Sequence, residues 1–324
     1  MLTSDFDYQL PPELIASEPL PDRSASRMMV VDRATGTIEH KHFRDLPGYV
    51  REGDLFVLND TRVVPARFFS NDGTREVLRL ETITPTRWRC MIRPGKKFRM
   101  GHKVDIGDAS GRVVEIAENG DRTIEFDRPV DVQRHGHLAL PPYMEREDRE
   151  SDKERYQTVF AREEGSIAAP TAGLHFTPEL LAQLPHAFVT LHVGVGTFQP
   201  VKADRVEDHV MHSESYSLSA QSAGRIREAK RVIAVGTTAS RVLESVFRKH
   251  GQIIADEGET DIFIHPPYEF RVVNSLLTNF HLPKSSLIML VSALAGRDLV
   301  MRGYAEAIAQ RYRFYSYGDC MLIV

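Results

Sequence analysis

The stretch from residue 75 to residue 127 constrains the fold more than any other feature of the chain. Five β-forming runs, at 77–83, 87–92, 103–106, 113–116 and 123–126, follow one another there with Gly, Pro and Asp between them. That spacing is the pattern of a small barrel or sandwich. The flanks have a different texture. Residues 27–32 and 54–58 read as short buried strands punctuated by Gly36 and Gly53. Further on, Thr177, Pro178 and Glu179 supply an N-cap, a first-turn proline and an early acid ahead of Leu180, Leu181 and Leu184, the start of a short helix. A strand at 187–193 leads to Gly194, and a strand at 231–235 turns into a helix at 237–249 that closes at Gly251. A further strand is expected at 261–264, then helices at 287–294 and 299–309, the second capped by Asp298. The chain therefore reads as a discontinuous α/β domain, residues 1–61 and 151–324, interrupted by an inserted β domain at 62–150. Pro141, Pro142 and the charged residues 145–153 form the expected return linker. A length of 324 residues, beyond the size at which one core stops growing, suits two domains.

Cys90 and Cys320 lie far apart and outside any Cys-x-x-Cys pair, so neither a disulfide framework nor a thiolate metal site is expected, and the compartment reads as reducing. Residues 1–15 carry Asp5, Asp7 and Glu13 without a basic residue, the reverse of a signal or transit peptide. The longest apolar stretch, 287–295, is far shorter than the roughly 20 residues of a membrane helix. A cytoplasmic protein without membrane contact is expected. No long heptad or obvious apolar patch signals an obligate protein partner, so a monomer is the default. The net charge of −4 argues against a nucleic-acid partner for the chain as a whole. Between Thr61 and Arg112, however, twelve Lys and Arg stand against five Asp and Glu, an excess that is either a solvated strand surface or an RNA footprint.

Polar signals gather where strands end, the place where open α/β sheets bind ligands. Ala169-Pro170-Thr171-Ala172-Gly173-Leu174-His175-Phe176 precedes a helix, and its small residues would let a ligand approach the backbone. His192-Val193-Gly194-Val195-Gly196-Thr197 puts Gly-x-Gly after a strand, but Pro200 follows and a third glycine is missing, so it is no dinucleotide fingerprint. Val235-Gly236-Thr237-Thr238 joins strand to helix; its amides and hydroxyls would hold a carboxylate, ribose or phosphate, unless the threonines only cap the helix. Thr278-Asn279-Phe280-His281-Leu282-Pro283 and Arg313-Phe314-Tyr315-Ser316-Tyr317-Gly318-Asp319 mix aromatics with hydrogen-bonding groups, as a site that stacks a purine and reads its edge requires. His209, His212 and Glu214 would converge on a metal only through a helical or sharply turned chain, and neither a His-Glu-x-x-His motif nor a Cys cluster supports one. Ser285 and Ser316 lack a nucleophile elbow. His175, His192, His212 and His281 are general-base candidates, since imidazole titrates near neutrality.

Taken together, these segments resemble the S-adenosylmethionine:tRNA ribosyltransferase-isomerases of queuosine biosynthesis. The likeness starts at Asp5-Phe6-Asp7-Tyr8 and runs through Ser26-Arg27, Asn59-Asp60-Thr61-Arg62-Val63 and Pro65-Ala66-Arg67. It continues through Leu140-Pro141-Pro142-Tyr143, Arg155-Tyr156-Gln157-Thr158-Val159 and the five segments above to residues 312–322, so it spans the chain. It departs at Pro266-Pro267-Tyr268, where the family usually has Gly after the first Pro, and in a shorter turn between Phe69 and Glu76. The resemblance implies an α/β domain with an inserted β-barrel. It implies a transferase with S-adenosylmethionine as co-substrate, no permanently bound cofactor and no metal. The partner is a tRNA bearing 7-aminomethyl-7-deazaguanine at the wobble position; the products are epoxyqueuosine-tRNA, adenine and methionine. On this resemblance His175 or His281 is the base, Asp319 or Glu214 orients it or faces the sulfonium, and Phe280 or Tyr317 stacks a purine. Thr171, Gly173, His192, Gly194, Gly196, Thr197, Gly236, Thr237, Thr238, Asn279 and Arg313 join Phe280 and Tyr317 as expected substrate-binding residues. Arg87, Arg89, Lys96 and Lys97 are the expected contacts to RNA phosphate. The rival readings are a methyltransferase using the Gly236 turn, a metal-dependent hydrolase on His209 and His212, and a binding module whose basic segment is its whole function.

Overall fold

The computed structural model describes residues 1–96, 98–194, 196 and 201–324. The chain divides into two compact units: Met1–Arg62, Pro141–Arg146 and Glu154–Val324 in the larger, Val63–Leu140 and Glu147–Lys153 in the smaller. The charged return stretch is thus shared. Pro141–Arg146 belongs to the larger unit, while Asp148 ties down the smaller one by accepting from His137 Nδ1 at 2.9 Å and the Leu138 amide at 3.0 Å.

The larger unit is built on a nine-stranded mixed sheet. In spatial order its strands are Asp256–Thr260, Glu214–Leu218, His186–Leu191, Asp54–Asn59, Arg231–Val235, Ser275–Asn279, Cys320–Ile323, Arg27–Val31 and Ile38–His42. The run from His186–Leu191 to Ser275–Asn279 is parallel; Cys320–Ile323 opposes Ser275–Asn279 and runs parallel to Arg27–Val31. Both outer margins are antiparallel. The central strands are short apolar runs because both faces are covered, and successive residues alternate between two cores. Met29 and Val31 face the helices Ala220–Glu228, Gly236–His250, Ser286–Ala295 and Arg297–Ala309. Met28 and Val30 face a second layer made by Phe43, Leu46, Phe176, Leu180 and Leu184. Each such fully buried side chain contributes about 1.5–3 kcal/mol.

Local chemistry explains the element that matters most for the site. Gly236, at φ +88°, lets the chain swing from strand to helix without an intervening loop. Val242, Leu243 and Val246 then bury one face, Arg248, Lys249 and His250 oppose the negative end of the helix dipole, and Gly251 ends the helix in the left-handed conformation. Thr177 caps the Pro178–Leu181 helix by accepting from the Leu180 amide, as its sequence predicts.

Two expectations fail. The strand placed at 261–264 lies at Asp256–Thr260 instead. Its sequence, Asp-Glu-Gly-Glu-Thr, is polar because it forms the sheet margin, whereas Ile262 and Ile264 are buried without joining a ladder. The last helix begins at Arg297 behind Gly296, so Asp298 lies in its first turn rather than capping it, and acts there on the helix dipole.

The smaller unit holds a six-stranded antiparallel sheet in the order Arg67–Phe69, Glu76–Thr84, Arg87–Arg93, Arg122–Phe126, Ala109–Ile116, Lys103–Ile106. Period-two alternation buries Trp88, Cys90 and Ile92 and turns Arg87, Arg89 and Arg93 away from that core. The two outermost strands are drawn together by their turns. The Asn71 amide donates to Asp105 O at 2.8 Å, and its side chain exchanges hydrogen bonds with Gly107 at 2.7 and 2.8 Å. Among the described residues of the whole chain, no helix is long and apolar enough to cross a membrane.

Candidate functional site

A cleft opens in the larger unit where strands Arg231–Val235 and Ser275–Asn279 end. It takes in about 640 Å3 including its mouth, and residues 168–172, 236–238 and 278–282 line it with Tyr143, Val193, Leu287, Tyr315 and Ser316. Asp, Glu, Lys and Arg are all missing from that lining among the described residues. What a ligand charge meets among the described residues is dipoles and aromatic rings.

His281 lines the cleft and is 8% exposed. Its Nε2 lies 2.7 Å from Thr278 Oγ1, and Nδ1 has no hydrogen bond among the described residues. Burial pushes its pKa down to about 3, so the ring is neutral at physiological pH with one nitrogen left for a ligand. Backbone contacts hold it rigidly: the His281 amide donates to Tyr304 Oη at 2.9 Å and its carbonyl accepts from Tyr8 Oη.

His175 is differently placed. Its Nδ1 lies 2.7 Å from Ser26 Oγ and its Nε2 3.1 Å from Asn279 Oδ1. Asn279 Nδ2 donates to Tyr315 O at 2.9 Å and Ser316 O at 3.3 Å, which fixes the amide so that Oδ1 accepts. Nε2 must then carry the proton, and Nδ1 accepts from Ser26. Burial lowers the His175 pKa to about 4, keeping it neutral with both nitrogens engaged. His175 thus positions Asn279, and Asn279 holds Tyr315, whose φ of +71° is a left-handed conformation that a bulky residue adopts only when held. Gly318 completes this corner, since a Cβ there would sit 2.5 Å from the Phe314 backbone.

Tyr143 and Tyr315 supply the aromatic surface, with ring centroids 4.5 Å apart; burial raises both phenol pKa values, and the Tyr143 hydroxyl bonds Ser316 Oγ. Phe280 is fully buried, its ring packed on Tyr304, Tyr312 and Phe314. Tyr317 sits edge-on to Tyr156 beside His175 in a smaller cavity. Phe280 nevertheless lines the cleft with Tyr143 and Tyr315, whereas Tyr317 does not.

Of the other expected residues, Thr171, Gly236, Thr237, Thr238 and Asn279 line the cleft, and Gly173, His192, Gly194, Arg313 and Asp319 do not. A Cβ on Gly173 would meet Thr158 Cγ2 at 2.7 Å, so packing explains that glycine. His192 bonds Thr61 Oγ1 at 2.8 Å, and burial lowers its pKa. Asp319 accepts from the amides of Arg27 and Arg313, both at 2.8 Å, and burial raises its pKa; it staples a turn to a strand. Arg313 donates to Glu18 O. Glu214 accepts from the Gly194 amide at 2.8 Å and pairs with buried Arg241. That pair lines a second cavity together with Gly196, His209 and His212. Among the described residues, no three His, Cys, Asp or Glu side chains converge on a metal position. Arg87 lies 3.9 Å from Glu115 and Arg89 3.0 Å from Glu81 on the smaller unit's sheet, and Lys96 is exposed. Lys97 and Thr197 lie outside the described residues. Thr278 and Tyr315 fall in segments whose mix of aromatic and polar residues marked them in sequence, whereas Ser26, Tyr143 and Arg241 carry no site signal of their own; Tyr143 and Ser26 fall in stretches that drew notice only through the family likeness.

A model of the family described as queuosine biosynthesis protein matches residues 3–323. The chain is 51% identical to the S-adenosylmethionine:tRNA ribosyltransferase-isomerase of Symbiobacterium thermophilum and 49% identical to that of Halothermothrix orenii, with 100% of each chain covered. It also resembles the crystal structure of the S-adenosylmethionine tRNA ribosyltransferase of Thermotoga maritima. That likeness has a TM-score of 0.58 at 38% identity and covers 99% of this chain and 100% of the other.

Proposed function

The chain belongs to the queuosine biosynthesis protein family, and from that premise we propose that it transfers and isomerises the ribosyl group of S-adenosylmethionine onto a tRNA. The acceptor is 7-aminomethyl-7-deazaguanine at the wobble position, and adenine and methionine leave. The observation that carries this reading is the cleft, lined among the described residues by no charged side chain, into which a neutral His281 is set.

A sulfonium acidifies the 5′ carbon beside it. Among the described residues no carboxylate lines the cleft to neutralise the sulfonium, so that acidity is retained. With His281 Nε2–H donating to Thr278 Oγ1, Nδ1 keeps its lone pair, and proton transfer from the 5′ carbon to it moves one positive charge from sulfonium to imidazolium and leaves the net charge of the site unchanged, which limits the electrostatic cost of the step. Rearrangement of the resulting ylide expels adenine, and the exocyclic amine of the deazaguanine joins the sugar. Tyr143 and Tyr315 offer rings for a purine or for the sulfonium. His175 and Asn279 act as positioning residues through Tyr315. Orientation then supplies much of the rate.

The division into an α/β domain, 1–61 and 151–324, and an inserted barrel at 62–150 is part of the same proposal, with the Asn71–Asp105 contact as the barrel's closure. Arg87, Arg89 and Lys96 on that barrel would meet RNA phosphate, and the protein would work in the cytoplasm. The test is the small-molecule product. Incubation with S-adenosylmethionine and precursor-base tRNA is expected to release free adenine and methionine in a tRNA-dependent manner; S-adenosylhomocysteine instead would make the chain a methyltransferase and reject the proposal.

A further inference from the structure

We propose that the first turn of the Gly236–His250 helix is the subsite for the carboxylate of S-adenosylmethionine's methionine half, an inference that rests on the occupancy of the cleft proposed above. The helix is 15 residues long, and its opening amides have no carbonyl one turn earlier to bond. Val235 stands at the N-cap, where it offers no side-chain acceptor, and the first turn carries no acidic residue. The positive end of the helix dipole is therefore left for a ligand.

A second, independent feature points the same way. Thr238, in that turn, is 8% exposed and lines the cleft, yet its buried Oγ1 has no hydrogen-bond partner among the described residues. A buried hydroxyl without a partner is costly, and a ligand oxygen within reach removes that cost. The remaining chemistry selects the ligand group. S-adenosylmethionine carries a sulfonium, an ammonium and one carboxylate. Only the carboxylate is attracted by a helix N-terminus, and among the described residues the cleft lining holds no Lys or Arg to compete for it. Binding the amino-acid end here spends its energy far from the reacting carbon, which orients the 5′ position without neutralising the sulfonium.

The experiment compares calorimetric affinities of S-adenosylmethionine and its carboxamide analogue for the wild-type protein, Thr238→Val and Thr238→Ser. The wild type is expected to prefer the carboxylate by about 10-fold or more, since the carboxamide lacks the charge attracted by the dipole and replaces one acceptor oxygen with an NH2 donor. Thr238→Val should lose about 10-fold for S-adenosylmethionine and little for the carboxamide, and Thr238→Ser should restore the preference. Equal wild-type affinities for the two ligands, or an equal loss for both in Thr238→Val, would overturn the subsite while leaving the reaction intact. Failure of the wild type to bind S-adenosylmethionine at all would remove the cleft assignment and this subsite with it.

Discussion

Replacing Asn279 by Asp changes one atom's chemistry and keeps the side chain's shape, so it isolates the role assigned to the amide. Asn279 Nδ2 donates at 2.9 Å to Tyr315 O and at 3.3 Å to Ser316 O. A carboxylate donates to neither. Tyr315 O keeps the Gly318 amide at 3.0 Å, whereas Ser316 O is stranded opposite a negative charge. The loss is about 1 kcal/mol for each bond plus about 1–3 kcal/mol for the stranded carbonyl, roughly 3–5 kcal/mol in total near pH 8. The pH dependence follows from His175. In the wild type its folded pKa, about 4, lies below the unfolded value of 6.5, so the unfolded chain binds the proton first and stability is lost as pH falls from 6.5 towards 4. A carboxylate at 279 raises the His175 pKa and shrinks that acid loss. The deficit of Asn279→Asp should therefore be smaller at pH 5 than at pH 8. Urea denaturation at the two pH values, with an NMR titration of the His175 ring, measures both parts. A penalty under about 1 kcal/mol at pH 8, or an unmoved His175 titration, would refute the amide orientation and the tautomer derived from it.

His281→Ala should lower turnover by about 10²–10⁴-fold with the fold retained, while His175→Ala, which strands Ser26 and Asn279, should cost stability more than rate. Single-turnover kinetics beside thermal melts separate the two, and near-normal turnover in His281→Ala would exclude it as the base. Glu214→Gln breaks a pair whose partner, Arg241, is 4% exposed, and should destabilise the protein by about 3–5 kcal/mol in urea; less than about 1 kcal/mol would show that the buried guanidinium finds other support. Charge reversal at Arg89 and Lys96 should weaken tRNA binding and flatten its salt dependence by about one counterion per lost phosphate contact. An unchanged slope would assign those residues to a solvated surface.

The sequence signals that were legible are those carried by local rules. Gly236 after an apolar strand and before an amphipathic run, Thr177-Pro178-Glu179, and the hairpin spacing around Trp88 each depend on neighbours a few residues away, and each element formed. The polar margin strand Asp256–Thr260 was not legible, because a strand paired on its side to Glu214–Leu218 and open to solvent has no apolar pattern to show. Within the site, the strand-end segments around Thr171, Gly236 and Asn279 converge on the cleft as their positions suggest. What sequence cannot distinguish is His175 from His281. Each directly follows one large apolar residue, Leu174 or Phe280, and only the distant partners Ser26, at 2.7 Å, and Asn279, at 3.1 Å, occupy the nitrogens of His175, whereas His281 keeps one nitrogen without a bond among the described residues. Nor does sequence show that Phe280, whose immediate neighbours in sequence are polar, packs on Tyr304, Tyr312 and Phe314 while it lines the cleft.

The most direct test of the central claim follows the sugar. Precursor-base tRNA is incubated with the protein and S-adenosylmethionine labelled with carbon-13 throughout the ribose, then digested to nucleosides for mass spectrometry. The account predicts that all the ribose label enters the modified deazaguanine nucleoside as epoxyqueuosine, while the adenine released is unlabelled. Label retained in the small-molecule fraction, with a methyl group added to the nucleoside instead, would contradict it.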